Sequence, residues 1–244
     1  MLPRFYVPDL NPEAGAARLS PEESHHLARV LRLVRGDPAA VFDGRGVEWR
    51  ARVEQASRDS ARLTLIEPVA TRTPRVAIAL LQAVLKSESM EDVIRDATMA
   101  GVAAISPIVS ARTTVKASAL RSAPERWRRV ALSSAKQCGM ATLPAIHDVI
   151  RFDQWLPTAL PEHTYLLIEP DAAPGDVTTV RQLALGPVPD AATLIVGPEG
   201  GWTADERDAT IAAGARPLSL GPMTLRASTV ALAATAALVA IWDE

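Results

Sequence analysis

Leu194-Ile195-Val196-Gly197-Pro198-Glu199-Gly200-Gly201-Trp202-Thr203 is the stretch that decides how this chain is read. Three consecutive aliphatic residues predict a buried strand. The loop after them holds three glycines, whose missing Cβ atoms permit positive φ and let a ligand approach the backbone. Pro198 stiffens the turn. Thr203 and Glu206 stand at capping-box spacing, so a helix should begin there, with Asp205 and Glu206 suited to its positive end. An ordinary βα turn fits these residues as well as a ligand site does. A second step of the same kind tips the balance: Leu218-Ser219-Leu220-Gly221-Pro222-Met223-Thr224-Leu225-Arg226 runs from strand to loop and into the apolar stretch Ala227–Trp242. Two glycine-bearing loops at neighbouring strand ends predict one pocket at the carboxyl edge of a parallel sheet.

Working outward, residues 76–85 read as a buried strand, 88–100 as a helix, 102–109 as a strand and 124–137 as a helix ending near Gly139. Later strands are expected at 165–168, 193–196 and 217–220. This alternation predicts an α/β domain, a mostly parallel sheet covered by helices on both faces. Before residue 70 the pattern differs. Strand-like pieces at 39–42, 47–54 and 61–66, with the turn Asp43-Gly44-Arg45-Gly46, predict a small β-rich module. Ser20-Pro21-Glu22-Glu23 supplies an N-cap, a proline at the first helical position and a capping-box acid. The helix it starts should carry His25, His26, Arg29 and Arg32, with positions 25, 29 and 32 on one face. Pro68 and Pro74 bracket a polar stretch, so the boundary is placed there, giving domains 1–70 and 71–244.

At 244 residues the chain has ample length for a core, and its net charge of -2 excludes an overall basic field. Basic residues concentrate locally instead: Arg112, Lys116, Arg121, Arg126, Arg128, Arg129 and Lys136 stand against the single acid Glu125. A solvated helix face explains such a run as readily as a binding surface does. Cys138 is the only cysteine, which excludes an internal disulfide and a cysteine-cluster metal site, so no metal is expected. Met1-Leu2-Pro3-Arg4-Phe5-Tyr6 lacks the organisation of a signal peptide, and Ala227–Trp242 is too short for a bilayer. A cytoplasmic protein without a membrane span is expected.

The ordered set of short motifs resembles the RsmE family of SPOUT RNA methyltransferases along almost the whole chain. His25-His26-Leu27, Val30-Leu31-Arg32, Gly36-Asp37 and Asp43-Gly44-Arg45-Gly46 match its N-terminal pattern. Lys86, Gln137-Cys138-Gly139, Gly197-Pro198-Glu199-Gly200-Gly201, and Leu220-Gly221 with Leu225-Arg226 and Thr229 match the rest. The resemblance implies an N-terminal PUA-like β-barrel that binds RNA and a C-terminal SPOUT domain threaded into a trefoil knot. It also implies a homodimer, S-adenosylmethionine as cofactor, and 16S ribosomal RNA or the 30S ribosomal subunit as partner, methylated at N3 of a uridine. A knot is something that periodicity never reveals.

On that resemblance, Ile168, Glu169, Gly197, Glu199, Gly200, Gly201, Leu220, Gly221 and Leu225 are the candidates for holding the methyl donor. Uridine N3 becomes nucleophilic only when its proton leaves and charge spreads onto the neighbouring carbonyl oxygens. Arg226, always protonated, is the candidate catalytic residue because it can stabilise that anion, although it cannot serve as the base. His25, Arg29, Arg32, Arg45, Arg126 and Arg129 are the candidate RNA contacts, with Trp127 as a stacking surface beside the last two. His26 reads as a buried, hydrogen-bonded histidine.

Five positions depart from the family pattern: Asp96, Met99, Lys136, Met140 and Ser228. Asp96 and Lys136 are expected to pair with reversed polarity. The departures leave two further readings open, a SPOUT methyltransferase for another RNA site and a noncatalytic RNA-binding or ribosome-assembly paralogue. A Rossmann-type nucleotide binder fits less well, because the strong glycine loop lies near the C-terminus and not after the first strand.

Overall fold

A computed structural model describes residues 2–170 and 177–243, apart from the side chains of Ser87 and Ala117. The chain forms two compact units, Met1–Thr73 with Ala135–Leu143, and Pro74–Ser134 with Pro144–Glu244. Residues 135–143, expected inside an unbroken second domain, thus group with the first.

The first unit holds β1 (Arg4–Tyr6), β2 (Ala16–Arg18), α1 (Pro21–His25), β3 (Pro38–Phe42), β4 (Glu48–Gln55) and β5 (Arg62–Pro68). The strands form one sheet in the order β1-β3-β4-β5-β2, antiparallel except for β1 on β3. Alternation in β4 and β5 turns Ala51, Val53, Leu63 and Leu65 inward, where they meet Phe5, Leu27 and Val41. Helix α1 begins as expected, with Ser20 accepting a hydrogen bond from the Glu23 amide at 3.2 Å. It does not reach Arg32. Residues His26–Val30 widen into a π-helical turn, in which the Leu31 amide reaches back to the His26 carbonyl at 2.9 Å, and Arg32 then takes a left-handed φ of 55°. Leu27, fully buried, anchors this turn in the core. The wider turn breaks the 3.6-residue period, so the single face expected for positions 25, 29 and 32 does not form.

Arg4 explains why residues 135–143 join this unit. Its guanidinium pairs with Glu48 through two hydrogen bonds, of 3.0 and 2.8 Å, and lies over the Phe42 ring at 4.5 Å. The remaining donors reach the carbonyls of Ala135 at 2.6 Å and Met140 at 3.0 Å. Lys136 pairs with Glu23 of α1, while Asp96 pairs with Arg95 at 3.0 Å. The expected Asp96–Lys136 bridge is therefore wrong, since each residue has a partner elsewhere.

The remaining elements are β6 (Ala77–Ala83), α2 (Ser87–Met99), β7 (Ala104–Val109), α3 (Ala117–Leu120), α4 (Ala123–Cys138), β8 (Ala145–Ile146), β9 (Ile150–Arg151) and α5 (Phe152–Trp155). After them come β10 (Thr164–Leu167), β11 (Thr178–Thr179), α6 (Val180–Ala184), β12 (Ala191–Val196), α7 (Ala204–Ala212), β13 (Arg216–Ser219) and α8 (Ala227–Trp242). The second sheet runs β11-β13-β10-β12-β6-β7-β8, with β9 also on β7, and every pairing is parallel. Its two faces have separate cores. Leu194 and Val196 join the cluster that contains Met90, Ile94, Trp127 and Leu238, whereas Ile195 joins Leu81, Ala83 and Leu166 on the other side. Burial on both faces is why these strands read as continuous apolar runs. Helix α8 buries Ala231, Ala234, Thr235, Leu238 and Trp242, a helical-spaced stripe whose small residues permit close packing on α2 and β12. No helix among the described residues is long and apolar enough to cross a membrane.

Candidate active site at the carboxyl edge of the parallel sheet

Strand β12 ends at Val196 and the glycine loop turns at once, the Gly201 amide donating to the Pro198 carbonyl at 2.9 Å with Gly201 at φ 68°. Such a φ is cheap only for glycine. Gly197 is needed for a different reason. A Cβ there would lie 3.0 Å from the indole nitrogen of Trp202, which folds back over the strand end and packs against Phe152 at 5.8 Å between ring centres. Helix α7 then starts with the full capping box: Thr203 accepts from the Glu206 amide at 3.2 Å and Glu206 accepts from the Thr203 amide at 3.1 Å.

Three hydrogen bonds tie this loop and the first turn of α7 to the ends of β6 and β7. Glu199 accepts from the Lys86 amide at 3.2 Å, just before α2. Arg112 donates from Nη1 to the Gly200 carbonyl at 2.8 Å, and the second oxygen of buried Glu206 accepts from the Ala111 amide at 2.7 Å. The second loop is held more locally. The Gly221 amide donates to the Ser219 hydroxyl at 3.2 Å, Gly221 takes φ 129°, and the chain runs on to Arg226, the residue before α8. Arg226 is exposed and makes no ion pair among the described residues.

These segments enclose a cleft of about 500 Å3, in the size range of small-molecule sites. All nine residues expected to hold the donor line it: Ile168 and Glu169 after β10, Gly197, Glu199, Gly200 and Gly201 after β12, and Leu220, Gly221 and Leu225 after β13. Arg226 lines it too. The open space at the Gly221 Cβ position leaves backbone uncovered there, as a cradle for a flat ligand requires. The lining mixes the carboxylates Glu169 and Glu199 with the cations Arg112, Arg207 and Arg226, and of the cations Arg207 is paired, with Asp208 at 2.9 Å. Of the five departures from the family pattern, Ser228 alone lines the cleft.

Arg112, Ser89 and Trp202 also line the cleft, although their sequence context does not single them out as donor contacts. Arg112 had a usable signal, because it stands three positions beyond a parallel strand, at the edge where such sheets bind ligands.

The candidate RNA contacts divide. His25, Arg29, Arg32 and Arg45 are exposed in the first unit. Arg126 and Arg129 belong to the second unit and are engaged on its surface, with Glu91 at 2.8 Å and Glu125 at 3.4 Å. Trp127 cannot stack on a base: it is 1% exposed, packed with Ala123 and Ala131 on the inner face of α4. His26, expected buried and hydrogen-bonded, is half-buried with no side-chain hydrogen bond among the described residues; its ring packs edge-on to Phe5 at 6.3 Å instead.

Residues 71–239 match the model of an RNA methyltransferase domain, and residues 19–66 match that of an RNA methyltransferase PUA domain. The chain is 34% identical over 233 residues to the ribosomal RNA small subunit methyltransferase E of Synechocystis, covering 93% of this chain and 73% of that protein. With the protein of the same name from Bacillus subtilis it shares 26% identity, over 93% of this chain and 90% of the relative. Among solved structures, the methyltransferase E of Neisseria gonorrhoeae bound to S-adenosylmethionine superposes with a TM-score of 0.87 at 27% identity, covering 99% of this chain and 98% of that one. A Legionella pneumophila protein with the same bound cofactor gives 0.87 at 30% identity, over 98% of both chains.

Proposed function

The chain belongs to the ribosomal RNA small subunit methyltransferase E family, and from that premise we propose that it transfers the methyl group of S-adenosylmethionine to N3 of a uridine in 16S ribosomal RNA. The observation that carries this reading is the convergence of two separate glycine loops and Arg226 on one cleft. The donor supplies a sulfonium-bound methyl, already reactive, so the protein's work is to orient and to stabilise charge. Backbone groups of Gly197, Gly200, Gly201, Leu220, Gly221 and Leu225 hold it, with Ile168, Glu169 and Glu199 around them. The Lys86, Ala111 and Arg112 ties keep the first loop in shape before the ligand arrives. The N3 proton passes to solvent water, Arg226 stabilises the negative charge left on the uracil oxygens, and the N3 lone pair would take the methyl as the sulfonium leaves as a neutral thioether.

The acceptor is held in this proposal by a PUA-like RNA-binding domain, residues 1–70, working with a methyltransferase domain, 71–244, whose chain is knotted. His25, Arg29, Arg32 and Arg45, exposed on the first unit, support that division of labour; Arg126 and Arg129 contribute only by exchanging their carboxylate partners for phosphate. The working form is a cytoplasmic homodimer that acts on 16S RNA or the 30S subunit. Met223, 75% exposed at the mouth of the cleft, supports a partner surface there. A noncatalytic RNA-binding or ribosome-assembly role is the second reading, favoured by Ser228, a departure from the family pattern that lies inside the cleft.

The test pairs donor binding with methyl transfer from labelled S-adenosylmethionine to 30S subunits and free 16S RNA. Arg226→Ala should lower kcat about 100-fold or more, as loss of an oxyanion stabiliser does, with the donor Kd within about threefold. Equal turnover by the variant removes Arg226 from the chemistry.

A further inference from the structure

Residues 29–35 of the first unit combine features that neither the core nor the donor cleft uses. Val30, Leu31 and Val34 are 61%, 38% and 62% exposed. Arg29, Arg32 and Arg35 alternate with them, exposed and without an ion pair or hydrogen bond of their side chains among the described residues. Arg50, Arg62 and Arg52 of the same unit are engaged, with Glu67, Glu54 and the Gly36 carbonyl, whereas Arg45, Arg58 and Arg72 are exposed like the three here but stand singly, without the interleaved aliphatic groups. Arg32 is also the one non-glycine residue among those described with a left-handed backbone. It stands two residues after a π-helical turn. Two unfavourable backbone features in succession, displaying aliphatic groups to water, are what a segment kept for contact with a partner looks like.

The chemistry of the segment selects the partner. Guanidinium groups at intervals suit the phosphates of a nucleic acid backbone. Aliphatic groups between them need an apolar partner, and in RNA that partner is the face of a base. A duplex keeps its base faces stacked inside and its major groove too narrow for side chains, whereas unpaired nucleotides offer faces and phosphates together. We propose that residues 29–35 bind unpaired RNA, with Arg29, Arg32 and Arg35 on phosphates and Val30, Leu31 and Val34 against bases. This rests on the reading of the protein as an RNA methyltransferase and adds the structural state of the RNA that its first unit takes.

The test is fluorescence anisotropy of the full-length protein with a ten-nucleotide single-stranded RNA and a duplex of equal length, across a salt series. The single strand should bind several-fold tighter. Val30→Ser and Val34→Ser should each weaken it about fourfold, the worth of roughly one buried methylene, without altering the salt dependence. The double variant Arg29→Gln/Arg35→Gln should flatten the salt slope by about 1.4, two single-strand phosphate contacts. Arg32→Gly should weaken binding while Tm holds or rises, because glycine accepts that φ without strain.

Equal affinity for duplex and single strand, or valine variants that bind as wild type does, overturns the proposal. A change from dimer to monomer in the valine variants, seen by sedimentation, also overturns it and marks the patch as a contact between copies. If wild-type protein binds neither RNA, or binds in a way that ignores these substitutions, the segment's role fails; the methyltransferase reading fails separately, if 30S subunits and 16S RNA gain no methyl group.

Discussion

Gly197→Ala tests whether the donor loop owes its shape to packing or to the ligand. The new methyl group would lie 3.0, 3.2 and 3.3 Å from the Nε1, Cε2 and Cδ1 atoms of Trp202, inside the 3.4–4 Å of ordinary contact. Gly197 does not have a positive φ, so the penalty is steric and not conformational. The indole is backed by Phe152 and cannot simply withdraw, so residues 198–202 must shift with it. Overpacking of this kind costs about 1–3 kcal/mol. If all of it falls on the loop conformation that binds the donor, Kd for S-adenosylmethionine rises about 5- to 150-fold. Calorimetric titration of the donor reads the loss, and a thermal melt reads any general destabilisation. The decisive comparison is a double-mutant cycle with Trp202→Leu. In that background the methyl group has room and should cost less than about 0.5 kcal/mol. An equal loss in both backgrounds would mean that the added methyl meets the donor itself, and no loss in either would refute the packing argument.

Arg112→Gln removes the hydrogen bond to the Gly200 carbonyl; as an exposed charged donor it is worth about 1 kcal/mol, so donor affinity should fall roughly fivefold with little change in Tm. Glu48→Ala leaves the Arg4 guanidinium buried without its carboxylate, and urea unfolding should show a loss of about 3–5 kcal/mol. Burial raises the Tyr165 phenol above its ordinary pKa. Its contribution to stability is complete below the unfolded value, about 10, and is lost as pH rises from there through the folded value. Ultraviolet titration should show a late tyrosine step that disappears in Tyr165→Phe, and an unchanged titration in that variant would contradict the assignment.

Elements were legible where local chemistry alone sets them. Leu194, Ile195 and Val196 announce a buried strand, and Thr203 and Glu206 announce a helix start. What stayed hidden depends on contacts far apart in the chain. Nothing near residue 135 says that Arg4 will donate to its carbonyl, and nothing near Lys136 says that Glu23 will be its partner. Trp127 misleads because its arginine neighbours in sequence point outward while it points inward; its period with Ala123 and Ala131 was the better guide. The helix end at Val30 was missed because Leu27 fixes it through tertiary burial, against the local pattern. In the cleft, glycine loops betrayed themselves by composition, whereas Arg112 reaches its loop from a strand two places away in the sheet.

Methyl transfer to a uridine of the small-subunit RNA can be measured directly. Purified protein, S-adenosylmethionine and 30S subunits from cells lacking the activity should be incubated together and the RNA digested for mass spectrometry. A single new 3-methyluridine in 16S RNA is expected, absent without donor and much reduced with Arg226→Ala. RNA that gains no methyl group, from protein that binds the donor tightly, would contradict it.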